Sequence, residues 1–180
     1  MAAKRVKWNP LKESYVDSKK VNRLSFEAET LFTRLIAKCD DNSNFDGDPT
    51  LITCKLYAEK MRLGLISVTD TLRMRNELVT NLLVIPYQVC GETYLHIPNN
   101  KKYRRSDVTS DIRFPDVPKK DVEAWARDPQ TYTNQWFNET VMKPLRKRNE
   151  SVTNTEQERD NPETNSSRYI TEHDITEHNS

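Results

Sequence analysis

The 180-residue sequence predicts a mainly α-helical fold with one small β-hairpin. Three observations lead to this prediction. Apolar residues recur every three or four positions between Ser25 and Cys39, the spacing of an amphipathic helix. Two further apolar segments begin with helix N-cap signals, at Asp48-Pro49 and at Ser67. Aromatic and β-branched residues then flank Gly91 in LVIPYQVCGETYLHIP, residues 83–98, which is typical of two short strands joined by a turn.

The first predicted helix starts at Ser25. A serine hydroxyl can accept a hydrogen bond from an unpaired backbone N–H of the first helical turn. Glu27 and Glu29 suit the positive end of the helix dipole. We expect one apolar stripe to face the core, formed by Ala28, Leu31, Phe32, Leu35, Ile36 and Cys39.

The acidic segment DDNSNFDGDP, residues 40–49, has the composition of a calcium-binding loop but not its register. With Asn42 in the first position, Gly47 falls correctly at the sixth. Thr53 then stands where the loop requires a bidentate Glu. We therefore expect a turn in which Phe45 packs against the core.

A second helix is predicted directly after this turn. Asp48 suits the N-cap and Pro49 the first helical position, where a missing N–H costs nothing. The helix would run to about Met61. Its inward residues would be Leu51, Ile52, Leu56 and Cys54.

A third helix is predicted from Val68 to about Leu83. Ser67, followed three residues later by Asp70, approximates a capping box. We expect Val68, Leu72, Val79, Leu82 and Leu83 to face inward, and Arg73, Arg75 and Asn76, together with Thr69 and Thr80, to face outward. Because the hairpin follows at once, the order of elements is that of a winged helix-turn-helix.

The rest of the chain differs in composition. Residues 1–120 contain 21 Lys and Arg against 15 Asp and Glu, whereas residues 121–180 contain 7 against 12. We expect a winged-helix DNA-binding domain in residues 1–118, a linker with short helices in 119–149 and a disordered acidic tail in 150–180. An aromatic stripe in the linker would either pack back on the domain, the commoner outcome, or bind a partner; it consists of Tyr132, Trp136, Phe137 and Val141.

Two stretches carry a family resemblance: LSFEAETLFTRLIAKCDDNSNFDGDP and NLLVIPYQVCGETYLHIPNNKKYRR. Their succession resembles the N-terminal domain of phage and prophage replication proteins of the replisome-organiser type, over residues 4 to about 118. The matching positions are Leu24-Ser25, Asp40-Asp41, Phe45, Asp48-Pro49, Tyr94 to Asn99 and Lys102-Tyr103, while Arg104 stands where the family pattern has Gln. The resemblance implies a winged helix that binds duplex DNA at a replication origin and recruits host replication factors, and it does not imply an enzyme.

Duplex binding requires cations for phosphates and donors that reach base edges. The candidates on the third helix are Thr69, Arg73, Arg75 and Asn76. The segment after the hairpin offers Lys101, Lys102, Tyr103, Arg104 and Arg105, and a basic N-terminal arm offers Lys4, Arg5 and Lys7. The alternative for each of these residues is that it lies on an ordinary solvated surface and does not contact DNA. The hairpin tip, Cys90-Gly91-Glu92, is short and slightly acidic, so we expect the hairpin to close the core and the segment after it to contact DNA.

Other classes of function find little support in the sequence. Its three glycines form no phosphate-binding loop, and its Ser, Cys and His residues match no nucleophile motif. We expect no cofactor and no metal. No apolar run reaches the about 18 residues of a membrane span. Three sparse cysteines fit buried thiols in a reducing cytosol, so we expect a cytoplasmic protein, and the resemblance implies that the cell is a bacterial host. A transcriptional regulator, or a protein-interaction adaptor without DNA affinity, remains an alternative.

Overall fold

The computed structural model describes residues 11, 13–98, 100 and 111–142, and those up to Val141 belong to one compact unit. After two short 3-10 helices, Glu13–Tyr15 and Val21–Arg23, the elements are α1 (Phe26–Lys38), β1 (Asn44–Asp46), α2 (Pro49–Arg62), α3 (Val68–Thr80), β2 (Ile85–Val89), β3 (Glu92–His96), α4 (Lys119–Arg127), α5 (Pro129–Phe137) and a π-helical turn (Asn138–Met142). The predicted mainly α-helical fold with a small hairpin is confirmed.

Each of the first three helices begins at the predicted cap. The Ser25 hydroxyl accepts a hydrogen bond from the Ala28 N–H, and the Asp48 carboxylate accepts two from the first turn of α2. Ser67 and Asp70 form a complete capping box at the start of α3. These contacts satisfy N–H groups that have no partner inside the helix, which is why local sequence was enough to locate the helix starts.

The hairpin belongs to a three-stranded antiparallel sheet with the strand order β1-β3-β2. Tyr87 pairs with Tyr94 across the hairpin, and Phe45 of β1 pairs with Leu95 of β3. The segment expected to be only a turn therefore contains a strand. Phe45 is buried in the core, as predicted.

Gly47 lies where the chain leaving β1 comes closest to β3. Its N–H donates to the Thr93 carbonyl at 2.9 Å, and a Cβ placed on it would lie 2.7 Å from the Thr93 Cγ2 and 2.9 Å from the backbone of Tyr94. Real Cβ atoms do not approach backbone so closely, so we expect Gly47→Ala to lower the free energy of unfolding by about 2 kcal/mol. Urea unfolding would measure this.

Gly64→Ala is the control for this substitution. Gly64 also lies in a turn, but a Cβ there meets nothing within 4 Å. Its φ of +68° makes alanine cost about 1 kcal/mol through backbone strain alone. A smaller loss for Gly47→Ala than for Gly64→Ala would show that the strands can separate without penalty.

The buried faces of α2 and α3 differ in part from those predicted. In α2, Ile52 and Leu56 are buried as expected, but Leu51 and Cys54 are exposed and Thr53 and Tyr57 take their places. In α3 the buried stripe is Thr71, Met74, Arg75, Leu78 and Val79, so that Val68 and Leu72 lie at its edge. The prediction failed because it sorted residues by polarity, whereas the Thr53 and Thr71 hydroxyls hydrogen-bond each other at 2.8 Å inside the core.

The cysteines also depart from expectation. Cys39 is buried, but Cys54 and Cys90 are exposed. Cys90 occupies the hairpin turn with a φ of 52°, and Gly91 follows at 84°. Two successive positive φ values match a two-residue turn whose twist suits a hairpin. Glycine adopts this backbone freely, whereas cysteine does so under strain.

The region expected to be a linker packs on the sheet and on α3. Residues 111–116 lie against β1, where the Phe114 ring lies 5.5 Å from the Phe45 ring. In α5, the Tyr132 hydroxyl donates to the Pro86 carbonyl at 2.7 Å, and Trp136 is part of the hydrophobic core. Of the two outcomes predicted for the aromatic stripe, the structure shows packing. Among the described helices, none is long and apolar enough to cross a membrane.

Candidate nucleic-acid interface

The side of α3 opposite its buried stripe is the candidate interface. Thr69, Arg73 and Thr80 are exposed there, and Asn76 is half-buried. They fall on one face because positions 69, 73, 76 and 80 are separated by three or four residues. Among the described residues, Arg73 makes no hydrogen bond or salt bridge, and its charge contributes in a minor way to lowering the pKa of Asp70. Its guanidinium N–H groups are therefore available to a ligand. We call this set the α3 face.

Two carboxylates border the α3 face, and both have structural partners. Asp70 accepts hydrogen bonds from the N–H and hydroxyl of Ser67 at 2.9 and 2.6 Å, and these bonds, above all that from the hydroxyl, lower the pKa of Asp70. Glu77 accepts from the N–H and hydroxyl of Ser25 at 2.6 and 2.8 Å, which ties α3 to the start of α1. The two acids of α3 therefore also hold the helix in position.

A groove of about 280 Å³ runs alongside Arg73, between α3 and the first two helices. Lys60, near the end of α2, and Arg73 line it together with the carboxylates of Glu27 and Asp70, so the groove combines two cations with two acids from three helices. Sequence alone did not single out Lys60, which lies in the last turn of α2 two residues before Arg62 and 13 positions before Arg73. Only the packing of α2 on α3 brings the two to one groove.

The prediction that Arg75 faces outward is wrong. Only 5% of its surface is exposed, and its Nη1 donates to the Gly47 carbonyl at 2.8 Å. The guanidinium lies over the Trp136 ring, 5.4 Å from the ring centroid. Position 75 falls on the buried stripe of α3, and the carbonyl and the aromatic ring together compensate for the loss of water. Arg75 is thus placed away from any surface that a duplex could reach.

The charge of Arg75 survives this burial. Removal from water lowers the pKa of Arg75 to about 10, and the opposing effect of Asp48 is smaller. The guanidinium therefore stays protonated at neutral pH. A buried cation needs several acceptors to remain in place. Besides the Gly47 carbonyl, the Asn76 Oδ1 accepts hydrogen bonds from the Arg75 Nε and Nη2 at 3.2 and 2.8 Å.

The four aspartates of the 40–48 segment do not converge on one point. Asp40 is fully buried and accepts hydrogen bonds from backbone N–H groups, whereas Asp46 pairs with Lys55 at 2.6 Å. Asp41 accepts from the Asp111 N–H, and Asp48 caps α2. Within the described ranges no three His, Cys, Asp or Glu side chains come together as metal ligands would.

The remaining DNA-binding candidates lie outside the described residues. They are Lys101, Lys102, Tyr103, Arg104 and Arg105, and Lys4, Arg5 and Lys7 of the N-terminal arm. The 150–180 segment also lies outside. Of the twelve residues predicted to contact DNA, the structure therefore brings together Thr69, Arg73 and Asn76 on one face and places Arg75 beneath it.

With this geometry established, the chain can be compared with known proteins. No family model, no curated protein and no solved structure matches it.

Proposed function

We propose that the chain is a winged-helix protein that binds duplex DNA through the α3 face. The observation that carries this proposal is the order α1-β1-α2-α3-β2-β3 with the strand order β1-β3-β2. In this protein α1, α2 and α5 pack on one side of α3 and leave its other side exposed. A helix exposed in this way fits the major groove, as recognition helices of helix-turn-helix proteins do.

The α3 face supplies both kinds of contact that a duplex requires. Arg73 can donate two parallel hydrogen bonds to the edge of a guanine, and the hydroxyl of Thr69 can donate to phosphates or bases. The Thr80 hydroxyl already donates to the Asn76 carbonyl at 2.9 Å. Lys60 lines the same groove as Arg73 and can contact a backbone phosphate, while Glu27 and Asp70 of that groove offset part of the positive charge. Further phosphate contacts would come from the basic segment Lys101–Arg105, as its sequence predicts.

The biological role we propose is replication of phage or prophage DNA. The resemblance of residues 4 to about 118 to replisome-organiser proteins supports binding at an origin and recruitment of host replication factors. A transcriptional regulator would use the same module, because both roles require only recognition of a site. Footprinting on the DNA that surrounds the gene would distinguish the two by where the bound site lies.

One observation favours a protein-interaction adaptor as a second candidate. Large apolar side chains are exposed near the α2–α3 turn and at the start of α1, including Leu63 at 54%, Leu65 at 70% and Phe26 at 86%. Exposed apolar side chains that form a contiguous patch mark protein interaction sites. An adaptor that uses them would not bind duplex DNA at any salt concentration.

Arg73→Ala tests the proposal directly. We expect the substitution to weaken binding to a preferred duplex by roughly tenfold or more, since a bidentate arginine–guanine pair contributes about 1–3 kcal/mol of discrimination. Binding to random duplex should weaken much less. Fluorescence anisotropy with labelled duplexes, at about 50 and about 200 mM salt, would measure both effects.

Arg127→Ala is the matched control. Arg127 is an exposed arginine in the last turn of α4, which packs on α5 and β2 and not on the α3 face. Its loss removes the same charge from another part of the protein. The affinities for the preferred duplex and for random duplex should both stay nearly unchanged. Equal losses for the two variants, or equal losses on preferred and random duplexes, would remove Arg73 from base recognition.

A further inference from the structure

We infer that Asn76 is a specificity-determining residue that acts only as a hydrogen-bond donor, and that Arg75 fixes it in this state. The inference rests on the proposed DNA-binding function and goes beyond it, because it names the base that one position of the α3 face prefers. The preferred base is guanine, read at its two acceptors in the major groove.

The contact between Arg75 and Asn76 determines how the Asn76 amide is oriented. The Arg75 Nη2 lies 2.8 Å from the Asn76 Oδ1 and the Nε lies 3.2 Å from it. A guanidinium can only donate, so the atom facing it must be the amide oxygen. The Nδ2 group of Asn76, with its two N–H donors, then points away from Arg75 and makes no hydrogen bond within the described part of the chain.

Arg75 cannot easily turn away from this contact. Its third bond goes to the Gly47 carbonyl, and the Trp136 ring lies against the guanidinium at 5.4 Å from the ring centroid. The guanidinium is thus held between the Gly47 carbonyl, just after β1, and the Trp136 ring of α5. A side chain with so little exposed surface has no solvated alternative position.

An asparagine held in this way reads bases differently from a free one. A free asparagine recognises adenine by accepting from N6 and donating to N7, which requires its oxygen. In this protein that oxygen already accepts two charge-assisted hydrogen bonds. The two N–H groups that remain match the adjacent N7 and O6 acceptors of guanine, whereas the N6 donor of adenine would face another donor.

The position of Asn76 suits this role. It lies three residues after Arg73, about 4.5 Å further along the helix axis, and it is half-buried at the border of the α3 face. The two side chains can therefore contact neighbouring base pairs. Because Arg75 is anchored through Gly47 and Trp136, the orientation of a base-contacting group depends on the residue that follows β1 and on α5.

Asn76→Asp provides the test because it separates structure from recognition. The introduced carboxylate has the same shape and keeps the bonds to Arg75 as an ion pair, so thermal unfolding should occur at the same or a higher temperature. The two N–H donors are lost. We expect selection from a randomised duplex pool to recover a guanine for the wild type at one position, and the variant to lose that preference and bind the wild-type site at least roughly tenfold more weakly.

Two further variants complete the experiment. Thr80→Asp adds the same charge one turn further along the α3 face and should weaken all duplexes alike without changing the selected sequence. Asn76→Ala removes the donors without adding charge and should also lose the guanine preference, so the test does not depend on a single variant. Circular dichroism would verify that each variant is folded.

The outcomes are distinguishable. A wild-type protein that binds no duplex at either salt concentration would overturn the proposed function and this inference with it. A wild-type protein that binds a preferred sequence, unchanged in Asn76→Asp and Asn76→Ala, would leave the proposed function standing and overturn the role of Asn76. Selection of adenine at the position that depends on Asn76 would show that the amide oxygen is free to accept.

Discussion

Asp40→Ala is expected to lower the free energy of unfolding by about 4 kcal/mol. The Asp40 carboxylate is fully buried and accepts four backbone N–H bonds, two from Asn42 and Asn44 at 3.0 and 2.8 Å and two from Arg113 and Phe114 at 3.2 Å each. Its removal leaves these donors without an acceptor, and each buried donor left unpaired costs about 1–3 kcal/mol, partly offset where water enters. Urea unfolding followed by circular dichroism measures the change.

Asp48→Ala is the control for this substitution. Asp48 is the same residue type in the same segment and also accepts two backbone N–H bonds, but it is exposed. Water replaces its carboxylate at little cost, so the loss should be about 1 kcal/mol, as for other N-caps. Similar losses for the two variants would mean that the 111–116 segment moves away from the domain without cost and that Asp40 does not hold it.

Trp136→Ala is expected to lower the free energy of unfolding by about 3–5 kcal/mol, the range for truncation of a buried tryptophan. Trp136 is 7% exposed, belongs to the core that α1, α2 and α3 share, and covers the Arg75 guanidinium. Its removal leaves a cavity and takes away the aromatic partner of a buried cation. Thermal unfolding of the full chain would show a lower midpoint, and a second, separate transition would indicate that α5 unfolds on its own.

Trp125 of α4 provides the comparison. It is half-buried and lies outside the core cluster, so Trp125→Ala should cost appreciably less than Trp136→Ala. An equal loss of unfolding free energy would contradict the conclusion that α5, rather than α4, completes the core. The same pair of variants tests the boundary at residue 118 that the composition predicts, because a domain ending there would tolerate both substitutions.

Sequence was sufficient to predict the helices because their starts are determined locally. Ser25, Asp48 and Ser67 each satisfy N–H groups two or three residues away. The apolar stripe of α1 also needed no knowledge of the fold, since nearly all of its inward residues are apolar. The hairpin was predictable for the same reason, with Gly91 at a turn that requires a positive φ.

The features that were missed depend on partners far along the chain. β1 has the sequence Asn-Phe-Asp, which has little strand propensity of its own, and it becomes a strand by pairing with β3 about 50 residues later. The bonds of Asp40 to Arg113 and Phe114 span more than 70 residues. No local pattern contains such information.

The candidate site was predictable only in part, because helical periodicity is local whereas the burial of a side chain depends on distant partners. Helical periodicity identified Thr69, Arg73 and Asn76 on the outer side of α3, but it also placed Arg75 there because arginine is usually solvated. The carbonyl that receives the Arg75 guanidinium is 28 residues away and the ring beneath it is 61 residues away. The basic residues of 101–105 and of the N-terminal arm stay predictions.

The small sheet has one more consequence, which concerns association between molecules. A strand at the edge of a sheet can pair with a strand of another molecule, which is a common route to aggregation. Here β1 is only three residues long and is covered by residues 111–116, and β2 contains Pro86, whose carbonyl already accepts the Tyr132 hydroxyl. The residues after the hairpin therefore protect both edges. A proteolytic cut between residues 98 and 111 that released them would open the edges of the sheet to intermolecular strand pairing.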